Sequence, residues 1–311
     1  MWCNLFVRVS IIGNGGQSKR IQKILKKKKI NFFIYKPKKP NYFDKQKYND
    51  LKKSNIIFIT SPNKTHFGYV KKFLKPSYIF CEKPPVNNIT NLNKLKKLNN
   101  GKIFFNYNFR FSKLAEILQS KKVSNLGNLV YANLISSHGL AQLSKYKVNW
   151  RSKIKENPKG VLETVSIHGI DLINYIFGIK KIYSPYLVNL SKSGSSYDTA
   201  FSKIITKKKS IINIFSTYNS SFYNEKLFLF ENGIVNEKNQ TIIIKGPSKN
   251  FNKNGNFITL KIIKKYKVNE IKDYELSIEK SVNFFLKKAL QKKLFNKTNF
   301  NCSIDSNKIV I

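Results

Sequence analysis

Five short apolar runs punctuate the first third of the chain: residues 5–12 (LFVRVSII), 31–35 (NFFIY), 55–60 (NIIFIT), 77–81 (SYIFC) and 102–106 (KIFFN). Each has the length of a strand and is apolar at nearly every position, where a half-exposed strand would alternate. The stretches between them carry another period. Ile21, Ile24 and Leu25 fall at i, i+3 and i+4, the buried stripe of a one-sided helix. Strands without alternation, separated by such helices, predict a doubly wound α/β domain with a parallel sheet covered on both faces.

The texture changes after about residue 112. Residues 128–136 (NLVYANLIS) read as a strand, about 160–177 as a helix, and several strands joined by hairpin turns follow. One turn lies within 205–212 (ITKKKSII), and Asn232-Gly233 is a two-residue turn signal. Residues 274–293 (YELSIEKSVNFFLKKALQKK) have the pattern of a late amphipathic helix. The reading is therefore two domains: an α/β domain over 1–112 and an α+β domain over 113–311, built on long antiparallel strands.

Composition narrows the class. The chain has 311 residues, 41% hydrophobic and 14% aromatic, which suits packed globular domains. No run approaches 18 apolar residues, so no membrane span is expected. The opening MWCNLFVRVSIIG lacks the basic start of a signal peptide. Cys3, Cys81 and Cys302 are too scattered for a disulfide framework or a zinc site, which predicts a reducing, cytoplasmic setting. The formal charge of +42 invites a nucleic-acid reading. Only four of the 58 basic residues are arginine, however, and the lysines arrive with abundant Asn, Ile, Phe and Tyr, as in an A/T-rich coding sequence. The charge is read as drift in composition, with no nucleic-acid or membrane partner. An anionic small substrate is the other use for it.

The chemistry-bearing residues follow the ends of the apolar runs, where an open parallel sheet binds ligands. IIGNGGQSKR places Gly13 and Gly15 at the first two positions of G-x-G-x-x-G, with Asn14, Gly16 and Gln17 in the loop and Ser18 at the third position. The first glycine allows a tight turn, the second admits a pyrophosphate, and the following helix offers its N–H groups. Ser18 is a departure whose Cβ is expected to loosen helix–strand packing. The second run ends in Tyr35-Lys36-Pro37-Lys38 rather than an acid, so Lys36 is placed to meet the 2′-phosphate of NADP where an acid would hold the ribose of NAD. The third ends in ITSPNKTH: Ser61 or Asn63 is expected to cap the next helix, with Pro62 fixing the bend and Thr60 and His66 flanking it. The fourth and fifth give CEKPP (81–85) and NYNFRF (106–111).

SPNKTH, CEKPP, NYNFRF, NWRS and KGVLETVSIHGIDL stand in the order and spacing of the Gfo/Idh/MocA family of NAD(P)-dependent oxidoreductases, which the chain resembles from about residue 5 to 178. The resemblance implies an N-terminal Rossmann domain and a C-terminal domain whose large, mostly antiparallel open sheet forms homo-oligomer contacts. It implies NAD or NADP as cofactor and a sugar, polyol or sugar nucleotide as substrate. It places Lys83 beside the nicotinamide ribose and the reacting oxygen, with the Lys83–Pro84 bond cis, and sets His168 opposite it.

Hydride loss from a carbinol requires the hydroxyl proton to leave as well, and an imidazole titrating near neutrality takes it best. His168 and Lys83 are the expected catalytic pair, Lys83 donating hydrogen bonds to an oxygen that gains alkoxide character. Glu82 is expected to receive hydrogen bonds that pin the turn. Asp171, three residues after His168, either orients the imidazole or ties its helix to the surroundings. The family's carboxylate four residues before the histidine is replaced by Thr164. Glu163 lies one position earlier, roughly 140° around an α-helix. Asn108 joins the cofactor set. Arg110, His138, Trp150, Arg151 and Thr164 join Lys83 and His168 in the substrate set, the arginines because a planar fork grips carboxylate, phosphate or vicinal hydroxyls. The function expected is hydride transfer between a nicotinamide and a carbinol or keto carbon. The alternatives are a sugar enzyme using NAD without net redox change, and a non-catalytic nucleotide binder.

Overall fold

The structure is a computed structural model that describes residues 7–37, 45–246 and 250–311. Cys3, the first residues of the 5–12 run and Lys38 lie outside them. The chain divides into two compact units. One comprises residues up to Asn108 together with Ile278–Ile309; the other is Phe109–Ser277.

In the first unit the order is β1 (Val9–Ile12), α1 (Gly16–Lys27), β2 (Phe32–Tyr35), α2 (Lys45–Lys52), β3 (Ile56–Ile59), α3 (His66–Phe73), β4 (Tyr78–Glu82), α4 (Ile89–Leu98) and β5 (Ile103–Asn106). The strands lie in the order β2-β1-β3-β4-β5, all parallel. Every residue of β1, β3, β4 and β5 is buried, which is why these runs do not alternate. The chain winds outward in both directions from β1 and β3, so the switch point where such sheets bind ligands lies at their carboxyl ends.

The second unit begins with two short helices, α5 (Lys113–Leu118) and α6 (Lys121–Ser124), and then β6 (Leu129–Ser137). A π-helical stretch, Leu162–Ser166, runs directly into α7 (Ile167–Phe177). The remaining strands are β7 (Ile179–Ile182), β8 (Tyr186–Val188), β9 (Thr199–Thr206), β10 (Ile211–Thr217), β11 (Tyr223–Phe230), β12 (Gly233–Lys238), β13 (Thr241–Lys245) and β14 (Ile262–Lys267). They form one nine-stranded sheet, β14-β13-β12-β11-β6-β10-β9-β7 with β8 on β9, antiparallel except for β6 against β10. Its strands alternate. Ala132, Leu134, Ile212, Ile214 and Phe228 are buried on one face, where Gly169 of α7 lets the helix approach Leu134 and Ile214.

Two helices close the chain, α8 (Glu270–Leu290) and α9 (Lys297–Asn307). Here the structure differs from the expected division at residue 112. Most of α8 and all of α9 belong to the first unit. Phe285 meets Phe58 and Phe80 edge-on at 5.3 Å each and stacks on Phe295 at 5.7 Å, while Phe300 lies 6.0 Å from Phe105. A phenylalanine buried in this way contributes about 1.5–3 kcal/mol. Phe285 and Phe295 therefore cover the sheet face that carries Phe58, Phe80 and Phe104, while Phe300 meets Phe105 on the opposite face of β5.

Two local expectations also change. The β11–β12 loop is Glu231-Asn232, closed by the Phe230–Gly233 pair, one residue earlier than the Asn232-Gly233 signal. Gly233 is required inside the strand because a Cβ there would come within 2.4 Å of the Lys245 carbonyl oxygen. Neither Ser61 nor Asn63 caps a helix through its side chain. The Ser61 hydroxyl instead pairs with that of Thr65 at 2.6 Å. Among the described residues no helix is long and apolar enough to cross a membrane.

Candidate active site

The glycines after β1 do two different jobs. Gly13 has φ +110° and an N–H that donates to the Tyr35 carbonyl at 2.9 Å, and a Cβ there would lie 2.8–2.9 Å from Thr60. It is needed for the turn itself. A Cβ on Gly15 would meet nothing within 4 Å. Gly15 is the N-cap of α1 and has no side chain to satisfy the first N–H groups of the helix, so the space in front of them suits a pyrophosphate. Asn14, Gly15 and Gly16 are exposed at this edge, with Gln17 half-buried behind them. Ser18 does not loosen the packing as expected. Its buried hydroxyl donates to the Gly13 carbonyl at 2.9 Å and closes the loop. Lys36 stands exposed just beyond β2. These residues fit a dinucleotide.

Three residues read as cofactor ligands brace the next two loops. His66 is fully buried, with one ring nitrogen 2.8 Å from the Pro84 carbonyl and the other 2.8 Å from that of Ser61. Burial lowers its pKa, against the raising effect of those bonds. It ties the loop after β3 to the turn after β4, and Ser61 is part of the same tie. Glu82 is buried, which raises its pKa, and accepts a hydrogen bond from the Asn106 amide at 2.8 Å. The Asn106 carbonyl oxygen in turn accepts from Ser281 at 2.7 Å. Lys83 follows on a turn held from both sides, and its bond to Pro84 is cis, as the resemblance implies. Asn108 is buried just after β5; Thr60 is half-buried, while Pro62 is exposed and Asn63 half-buried in the third loop.

In the second unit the helical segment carrying His168 is not a plain α-helix. Over Leu162–Ser166 the backbone is π-helical, and the N–H of Ile167 reaches back five residues to the Leu162 carbonyl. The α-helical rotation that set Glu163 aside does not hold across this wider turn. The residue five back, not four, is the backbone hydrogen-bond partner there, so the α-helical count gives no ground for setting Glu163 aside. Glu163 is buried, 1% exposed. Thr164, at the sequence position of the family's carboxylate, is used elsewhere: its hydroxyl donates to the Gly160 carbonyl at 2.9 Å and shares a 2.5 Å hydrogen bond with the Tyr218 phenol.

Tyr218, which sequence reasoning missed, gathers the substrate candidates. Its ring lies 4.8 Å from that of His138 and edge-on to Tyr146 at 5.9 Å. Burial raises the pKa of its phenol, as does the charge of Glu163, while Thr164 and the Arg151 guanidinium favour the phenolate. The guanidinium also lies over the Trp150 ring, 4.5 Å from its centroid. Burial and the Arg151 charge lower the pKa of His138, which is therefore neutral at pH 7. Tyr218 directly follows β10 and precedes an irregular loop, and no sequence motif marks it.

His168 is held from another side. Its ring stacks on Phe109, centroids 4.7 Å apart and 24° between planes. Phe109 also meets Tyr274 edge-on and carries the Lys226 ammonium 5.9 Å from its centroid. Lys226 is itself buried against Glu237. Arg110, expected to face substrate, is not available for it. Its side chain is 5% exposed, and its Nε and Nη2 donate to the two carboxylate oxygens of Asp171 at 2.8 and 2.6 Å. Asp171 makes the tie, one of the two roles read for it. A cavity of about 600 Å³ lined by Gln119, Asn128 and Lys208 lies at the opposite end of the sheet and holds none of these residues.

Residues 16–104 match the family model described as "Oxidoreductase family, NAD-binding Rossmann fold", the Gfo/Idh/MocA model. The family resemblance read from the motifs is thus borne out over the first unit. No curated protein matches the sequence. Solved structures share the fold along almost the whole chain. A myo-inositol dehydrogenase from Corynebacterium glutamicum aligns with a TM-score of 0.71 at 15% identity, covering 98% of this chain and 95% of that one. A levoglucosan dehydrogenase in complex with NADH and levoglucosan gives 0.77 at 13%, with coverage of 98% and 95%. An inositol dehydrogenase homologue with NAD+ from Azotobacter vinelandii gives 0.76 at 12%, with 98% and 93%.

Proposed function

Taking residues 16–104 as an NAD-binding Rossmann domain of the Gfo/Idh/MocA oxidoreductases, we propose that the protein transfers hydride between a nicotinamide and a carbinol or keto carbon of a sugar, polyol or sugar nucleotide. The observation that carries this reading is the open cradle at Gly15, on the same carboxyl edge as the braced cis turn that presents Lys83. The nicotinamide supplies the hydride chemistry. His168 takes the hydroxyl proton in the oxidative direction and returns it in the reductive one. Lys83 donates to the substrate oxygen and stabilises it as it gains negative charge. Glu163, in the π-helical segment, is the carboxylate we assign to support the imidazolium. Lys36, in place of an acid after β2, supports NADP; dinucleotide complexes of the structural neighbours contain NAD or NADH. The separated free thiols Cys81 and Cys302 support a reducing compartment.

The test is calorimetric titration with NAD and NADP, followed by absorbance of reduced nicotinamide over a panel of polyols, sugars and sugar nucleotides. Binding of one dinucleotide and net turnover of at least one substrate are expected. Failure to bind either dinucleotide would sink the reading. Product formation from a copurified nucleotide, without net reduction, would move the protein to the redox-neutral alternative.

The partner we assign is a second copy of this chain. The sheet face opposite α7 carries Ile135, Phe201, Ile211, Phe215, Leu227 and Ile243, none of them fully buried. Phe201 is 38% exposed and Ile211 43%. The register places Phe215 between Phe201 and Ile135, in a continuous apolar row. Sedimentation at micromolar protein should show an oligomer that Phe215→Asp dissociates. A wild-type monomer at that concentration removes the assignment.

A further inference from the structure

Arg151 is built to hold an anion. Its backbone N–H donates to the Asn149 side chain at 3.0 Å, and its carbonyl accepts from the buried Asn157 amide at 2.9 Å, so the residue is clamped on both sides. The guanidinium lies over Trp150 and at the Tyr218 phenol. Among the described residues no carboxylate pairs with it, whereas Arg110 and Arg8 pair with Asp171 and Asp50. The acids of the neighbourhood do not fill that role. Asp198 accepts from the backbone N–H groups of Leu190 and Ser191 at 3.0 and 2.8 Å and from the Thr199 hydroxyl. Glu163 is buried in the π-helical segment, where its charge acts on the Tyr218 phenol. A half-exposed arginine fixed in place, with no carboxylate in an ion pair with it among the described residues, points to a ligand that brings a negative charge.

We infer that Arg151 binds an anionic substituent of the substrate, carboxylate or phosphate, so that the molecule acted on is a sugar acid or a phosphorylated sugar rather than a neutral polyol. Tyr218 connects the guanidinium to Thr164, one residue from Glu163 and on the segment that continues into His168. The charged group and the reacting carbon are thereby served by one rigid neighbourhood. His138, neutral beside the arginine, is placed to add an uncharged hydrogen bond. Bidentate charge-assisted bonding of this kind favours the anionic ligand by at least about tenfold over a neutral isostere.

This inference rests on the sugar-oxidoreductase reading, and binding is therefore measured apart from turnover. Calorimetry at physiological ionic strength, with saturating dinucleotide, compares D-glucuronate and D-glucose 6-phosphate with D-glucose and myo-inositol. The salt suppresses diffuse attraction to the many lysines. The wild type is expected to favour at least one anionic sugar by at least tenfold, glucuronate identifying carboxylate and glucose 6-phosphate identifying phosphate. Arg151→Gln should erase that preference. Tyr218→Phe, which keeps the ring and removes the hydroxyl at the guanidinium, should weaken it. No anionic preference in the wild type, including no binding of any of the four, overturns the proposal, as does a preference that survives Arg151→Gln. Turnover of a neutral polyol with equal efficiency in wild type and Arg151→Gln overturns it while leaving the dehydrogenase reading intact.

Discussion

Replacing His168 with alanine lowers kcat by at least roughly 100-fold, the low end of what a positioned acid–base group contributes. The dinucleotide Kd stays within about twofold, because the cradle at Gly13 and Gly15 belongs to the other unit. The substitution leaves Phe109 without its stacking partner, at a cost of about 0.5–1.5 kcal/mol, too little to unfold the protein. Steady-state kinetics alongside a melting curve separate the two effects. Near-normal turnover in this variant would take the imidazole out of the mechanism and leave Lys83 alone to account for it. Lys83→Ala should then carry the whole loss in kcat.

Asp171→Ala has the largest expected effect on stability. It strips the buried Arg110 of the carboxylate that satisfies both arms of its fork, leaving a cation with a 5% exposed side chain. Breaking a buried pair from one side costs about 3–5 kcal/mol. Removing both charges with Arg110→Met and Asp171→Leu should recover most of that loss, since the penalty comes from the stranded charge rather than from a large net gain in the pair. Urea denaturation followed by circular dichroism gives both numbers. If Asp171→Ala is as stable as the wild type but loses kcat, the carboxylate orients His168 and the tie is secondary.

Local signals made the first unit legible. A strand buried on both faces must be apolar throughout, so β1, β3, β4 and β5 announced themselves, and Gly13 and Gly15 marked the turn between β1 and α1. What stayed hidden depends on contacts far apart in the chain. The helix around 274–293 reads as amphipathic, but nothing local says that Phe285 packs between Phe58 and Phe80, more than 200 residues earlier. The position of Glu163 was masked for a different reason. Rotation was counted on an α-helix, and one π turn changes the count. Arg110 and Arg151 are the same residue type in similar motifs. Only the structure shows that one is paired with Asp171 and that the other lies over Trp150 and at the Tyr218 phenol. Tyr218 carried no motif at all, because its importance comes from three partners contributed by separate segments.

The return of the chain to its first unit has a consequence for biosynthesis. Residues 109–277 can collapse as soon as they leave the ribosome, while the parallel sheet still lacks Phe285 and Phe295 over Phe104 and Phe300 over Phe105. The usual order, in which the N-terminal domain matures first, is reversed. The half that matches the NAD-binding family model is the last to be finished, because residues 278–309 complete it.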